Sequence, residues 1–255
     1  MQMTVSIIAL VLLFSQSAAA KDTPASIKYK ALLDEYEQEG GARTFARRFL
    51  DLAEQHPQDP AAMDALLWVV KKLRGKPDTN RAIEMLAKHH INSTKLEPAC
   101  KDIANSRSIA AEKLLRGALE NSPHKRVRAQ ACYYLAELLD LEASIVEQLN
   151  AQPELAPRVL QYYGKEYGQH LSSLNPVLLE RQREQVYEQM LKSFPDVEKQ
   201  DSTMGKIAET MLFQIRHLSI GSIAPEIEGE DIAGKKFKLS DYRGKVIMIS
   251  FWGHW

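Results

Sequence analysis

From about residue 25 to residue 218 the apolar positions recur at intervals of three and four, the spacing that lines one face of an α-helix. Tyr29, Leu32, Leu33 and Tyr36 mark a first helix, which Gly40 and Gly41 end. Phe45, Phe49, Leu52 and Ala53 mark a second, which stops near Pro57. A third carries Met63, Leu66, Leu67, Val70 and Leu73, and Trp68 and Val69 widen its apolar face so far that the spacing predicts a helix buried on most sides. Asp59 is its N-cap acceptor, and Pro60 fits the first helical position, where no N–H is needed. Shorter helical patterns follow over 82–88 and 95–104. Stripes then run through Ala110, Ala111, Leu114, Leu115 and Ala118, and through Val127, Ala131, Tyr134, Leu135 and Leu138. Beyond Pro153 one stripe joins Leu155, Val159, Leu160, Tyr163 and Tyr167. Asn175-Pro176 repeats the cap-plus-proline start and opens a helix to about residue 193. Met204, Ile207, Ala208, Met211, Ile215 and Leu218 close the series with its most regular stripe.

This pattern predicts a mostly α domain over 21–219, an irregular stack of helix hairpins. The helix ends at Pro57, Pro123 and Pro195 leave room for a tetratricopeptide-like repeat. Proline past a helix end is common in any all-α protein, so the irregular stack is the plainer reading.

The texture changes at about residue 220, where Gly221, Pro225, Gly229, Gly234 and Gly244 punctuate the chain. Residues 225–228 and 236–239 read as two short strands joined across 230–234 in a hairpin-like connection. Residues 240–244 read as a turn or a single helical turn. Residues 246–251 hold only one polar side chain, Ser250, and read as a strand buried on both faces, the pattern of a central strand in a mostly parallel sheet. The expected organisation is thus 1–20, 21–219 and 220–255.

Residues 1–20 carry no charged side chain and hold an apolar run from Val5 to Phe14. That run is shorter than the roughly 20 apolar residues a bilayer span takes. Ala18 and Ala20 supply the small residues of an A-x-A site before Lys21, so a secretory signal peptide cut between Ala20 and Lys21 is expected. The chain is then exported, to the periplasm or another extracytoplasmic space, with no membrane association beyond that leader.

Thirty-three basic and 33 acidic side chains balance, which leaves no electrostatic footprint for nucleic acid. The two cysteines, Cys100 and Cys132, form no C-x-x-C, and no His spacing near them suits zinc. In an exported protein such a pair allows a disulfide. The helical context Ala131-Cys-Tyr-Tyr-Leu135 favours the alternative, in which Cys132 packs as a small hydrophobe.

Four pieces stand in order near the C-terminus: Gly221-Ser-Ile-Ala-Pro225, Glu228-Gly-Glu-Asp-Ile-Ala-Gly234, Phe237-Lys-Leu-Ser-Asp-Tyr-Arg-Gly-Lys245 and Phe251-Trp-Gly-His-Trp255. Together they resemble the opening of an exported thioredoxin-like domain of the redoxin, or TlpA-like, thiol-disulfide oxidoreductase family. The resemblance implies that 220–255 hold only the N-terminal strands of such a domain, an incomplete α/β unit. It also implies that a C-x-x-C would begin at the position after Trp255, with Trp252 and Trp255 flanking the redox site. In that family an acidified first thiol attacks a substrate disulfide and the second resolves the mixed disulfide, with protein thiols or disulfides as substrates and no cofactor. The chain as given lacks that dithiol and is expected to be redox-inactive.

Other residues carry weaker signals. His254 reads as a loop residue with no partner base near in sequence. His89 and His90 read as a solvated helix end, and the basic run from His124 to Arg128 as part of a charged face. Two functions remain in view: the N-terminal part of an exported thiol-disulfide oxidoreductase, or a helical protein-binding module with a non-catalytic C-terminal remnant.

Overall fold

The computed structural model describes residues 22–73, 75, 77–219, 221–250 and 252. Among them are eleven α-helices, α1 (Pro24–Glu39), α2 (Ala42–Gln55), α3 (Pro60–Lys72), α4 (Pro77–His89), α5 (Leu96–Asn105), α6 (Ile109–Asn121), α7 (Lys125–Ala151), α8 (Ala156–Tyr163), α9 (Lys165–Ser173), α10 (Pro176–Ser193) and α11 (Met204–His217). Two small hairpins complete the set: β1 (Glu198–Lys199) with β2 (Ser202–Thr203), and β3 (Glu228–Glu230) with β4 (Lys236–Lys238), both antiparallel. The fold is therefore mostly α with few strands. No helix among the described residues is long and apolar enough to cross a membrane.

Local chemistry sets the helix starts. Thr23 Oγ1 accepts from the Ser26 amide at 3.0 Å, Asp59 Oδ1 from the Ala61 amide at 2.8 Å, and Asn175 Oδ1 from those of Val177 and Leu178 at 3.0 and 3.1 Å. Each satisfies amides that the first turn leaves without an intrahelical acceptor. A proline follows each of these caps. Gly40, at φ 70, ends α1 in a backbone conformation that glycine adopts without strain.

Successive helices pack as neighbours, α2 on α3 and α3 on α4, after which the order becomes irregular. α4 meets α6, and both α5 and α6 lie on α7, which also contacts α9 and α10; α10 carries α11. The 27-residue α7 is thus the spine of the stack. One continuous apolar cluster runs from Leu32 to Ile215, and Ile145, Tyr167 and Leu171 form a smaller one at the side. Phe49 and Tyr36 meet Trp68 with ring centroids 4.4 and 4.9 Å away, which anchors α1 and α2 on α3. Fully burying a side chain such as Phe49 or Leu66 contributes about 1.5–3 kcal/mol, so this cluster is what offsets the entropy of ordering the helices.

Four expectations need correction. The helix expected around 127–138 extends to Ala151. The stripe beyond Pro153 is two helices, because Gly164 at φ 83 and ψ 162 breaks it between Tyr163 and Lys165. The first strand of the C-terminal hairpin sits at Glu228–Glu230, not 225–228, in register with Lys236–Lys238. Residues 246–250 are neither buried nor in a strand. Their side chains alternate as in a strand, with Val246 and Met248 fully exposed and Ile247 and Ile249 half-covered, but no described strand lies beside them to complete a ladder.

Candidate functional site

The segment that resembles a redox domain is built around the second hairpin. Asp231 Oδ1 accepts from the amides of Ala233 and Lys235, both at 2.9 Å, and Gly234 at φ 76 completes the turn. Across the ladder Gly229 faces Phe237, whose Cζ would lie 2.9 Å from any Cβ at position 229. The phenyl ring therefore crosses the hairpin where only glycine leaves room. The Leu239 amide donates to Ile227 O at 2.9 Å and leads the chain into a single 3-10 turn, Leu239–Tyr242, as expected for 240–244. Glu226 Oε1 accepts from the Ser240 amide at 2.9 Å, and hydrogen bonding from Ser240 holds this carboxyl below the usual carboxylate range.

Between the turn and the extended tail lies a shallow depression of about 400 Å³, lined in part by Ile223, Leu239, Tyr242, Ile247 and Ile249. Glu226, Ser240, Arg243 and Lys245 complete a mixed lining that holds neither a cysteine nor a histidine. Trp252, named from the sequence as a flank of the redox site, is strongly exposed. Trp255, His254, Ala20 and Lys21 lie outside the described residues.

The cysteines belong to the helical core. Cys100 on α5 and Cys132 on α7 are both free and buried. Their thiols face main-chain carbonyls, Leu96 O at 3.1 Å and Val186 O at 3.5 Å, so no disulfide joins them in this structure. Burial pushes both thiols up to about 12, the opposite of what a nucleophilic cysteine requires.

The other histidines have local roles. His124 Nε2 reaches Asn92 O at 3.0 Å and His89 Nδ1 reaches Gln58 Nε2 at 3.2 Å. His90 is half-buried rather than solvated, and burial holds its imidazole below the ordinary value.

One constellation went unread in the sequence. Glu112 on α6, Glu142 on α7 and His170 on α9 bring one ligand atom each within 4.8 Å of one another. Glu142 is 1% exposed, and Tyr167 Oη donates to its Oε1 at 2.6 Å. Burial pushes this carboxyl up to about 7 and also raises the Tyr167 phenol, which stays a donor. Glu112 Oε1 accepts from Arg116 at 2.7 Å, while its Oε2 faces His170 Nε2 at 3.9 Å. The signal available was Glu142 itself, a carboxylate in the apolar stripe of Leu138, Leu139, Ile145 and Val146.

Comparison with known proteins relates a short stretch of the chain to thioredoxin-like proteins. The relatives include the thiol-disulfide oxidoreductase ResA of Bacillus subtilis strain 168, 47% identical over 38 residues, and those of Geobacillus kaustophilus strain HTA426 and Geobacillus thermodenitrificans strain NG80-2, 45% and 42% identical over the same length. Each match covers 15% of this chain and 21–22% of the relative, so the chain spans about a fifth of the length of the relatives it matches. No family model matches the chain, and no solved structure matches it significantly.

Proposed function

We propose that residues 220–255 are the opening of the thioredoxin-like domain of an exported thiol-disulfide oxidoreductase, joined to a helical domain at 21–219. The observation that carries this reading is the 42–47% identity over 38 residues to proteins of that activity. The order of the four C-terminal motifs is what supports placing that opening at 220–255. On this reading the complete protein exchanges electrons with protein thiols or disulfides, and Trp252 and Trp255 stand beside the redox site. The test is the coding sequence beyond the Trp255 codon. A C-x-x-C immediately downstream supports the reading, and an unrelated continuation overturns it.

Within the 255 residues the only cysteines are buried on separate helices, with thiols too weakly acidic to attack a disulfide. The chain as given therefore does not reduce insulin disulfides above the uncatalysed rate, and steady turnover by the purified chain would contradict this. Export with cleavage after Ala20 predicts Lys21 as the first residue of the secreted product, read by N-terminal sequencing. A mature product that begins at Met1 removes the leader from the reading.

A second reading assigns function to the helices as a protein-binding module. It is favoured by a groove of about 630 Å³ where α7, α10 and α11 meet, with Leu179, Ile215 and Leu218 among its lining and Glu147, Glu180 and Arg183 around them. A chain ended at residue 219 separates the readings. If it binds the same protein partner with the same affinity as the full chain, recognition resides in the helices.

A further inference from the structure

The convergence of α6, α7 and α9 lies apart from the C-terminal segment and plays no part in the redox reading. We propose that Glu112, Glu142 and His170 form a binding site for a divalent transition-metal cation of the zinc type, with one coordination position left open.

Geometry is the first argument. Zinc binds imidazole nitrogen and carboxylate oxygen at about 2.0–2.2 Å in a tetrahedral shell, so neighbouring ligand atoms stand about 3.4 Å apart. The Glu112 Oε2 to His170 Nε2 separation of 3.9 Å is within about half an ångström of that spacing. The three ligand atoms lie within 4.8 Å of one another, so closing the site takes side-chain adjustments of up to about 1.4 Å, shared between the ligands. Glu112 and His170 are only partly buried and have freedom to make them.

Unmet polar demand is the second argument, independent of the first. His170 Nε2 is buried and has no hydrogen-bond partner. A buried nitrogen left without a partner is costly, and a coordinated cation would remove that cost. Glu142 is a carboxyl almost fully withdrawn from water, with a neutral phenol as its donor. A bound cation supplies a directly coordinated counter-charge to its ionised form, beyond the field of Arg116.

Supporting groups have the arrangement that metal ligands require. Arg116 occupies one oxygen of Glu112 and turns the other towards His170. Tyr167 fixes Glu142 by its 2.6 Å hydrogen bond and stacks on His170 with ring centroids 5.8 Å apart. One nitrogen and two carboxylates suit zinc or manganese better than calcium or magnesium, which prefer all-oxygen shells. The Arg116 charge opposes the cation, so affinity is moderate and depends on all three ligands.

The test titrates the full chain, freed of metal by chelation, with Zn²⁺ by calorimetry and with Co²⁺ by visible absorption. Saturable binding of one equivalent is expected. His170→Gln and Glu142→Gln should each weaken it at least about tenfold, and Tyr167→Phe should weaken it by about tenfold through the orientation of Glu142. His217→Gln, on the exposed face of α11, should leave it unchanged. Helical circular dichroism checks that each variant folds, and Glu112→Gln at the rim replaces Glu142→Gln if the buried change unfolds the chain. Absence of saturable binding, or one equivalent that His170→Gln retains, overturns the proposal.

Discussion

Desolvation pushes the thiols of Cys100 and Cys132 up to about 12. At pH 8 the thiolate fraction of either is then on the order of one in ten thousand, and it grows only as pH rises towards that value. Iodoacetamide at pH 8 should leave both cysteines of the folded chain unlabelled within an hour and label two per chain in denaturant without reductant, counted by intact mass. Fast labelling of the folded chain would contradict their burial, and fewer than two labels in denaturant would reveal the disulfide that the structure lacks. The sequence made Cys132 legible because its helical neighbours are apolar. It did not make the Glu112, Glu142 and His170 convergence legible, because three helices distant in sequence meet there and helical periodicity reports only which face of each is buried. The residue that departs from its stripe, Glu142, is where a tertiary contact rather than local pattern decides the environment.

Helix boundaries were legible wherever capping chemistry is written into neighbouring residues. Asp59-Pro60 and Asn175-Pro176 start α3 and α10 at the expected positions, since an acceptor followed by proline satisfies the first turn by itself. Asn175 accepts from two amides, so Asn175→Ala should destabilise the chain by about 1 kcal/mol, read as a lower urea midpoint with unchanged slope. An unchanged midpoint would mean that water replaces the cap at no cost. The break at Gly164 was not legible from spacing. Val159 and Tyr163 before it and Tyr167 after it still meet in one apolar cluster, so the stripe continues while the backbone does not. The β1 and β2 hairpin was missed for the opposite reason: with two residues in each strand, it is too short to carry a period.

For the whole molecule, the distribution of burial separates what stabilises the chain from what limits its solubility. Buried side chains occur from Ala25 to Ile215, and none of the described residues beyond is buried. The continuous apolar run at 246–250 was legible as strand-forming, and its alternating side chains keep that character. Its burial was not to be had from sequence, because burial is supplied by neighbouring strands and covering helices rather than by the run itself. An extended apolar segment with unpaired backbone groups pairs readily with another copy. Val246 and Met248 face outward together, so Val246→Lys with Met248→Lys places two like charges on the surface through which copies would pack. The double variant should lower static light scattering of concentrated protein severalfold. The thermal transition of the helices should stay within about 4 °C of the parent, because two exposed substitutions away from the core together change stability by less than about 1 kcal/mol. Unchanged scattering would contradict association through this segment. A fall in the helical transition would show instead that the tail covers part of the stack, and that the core extends beyond Ile215.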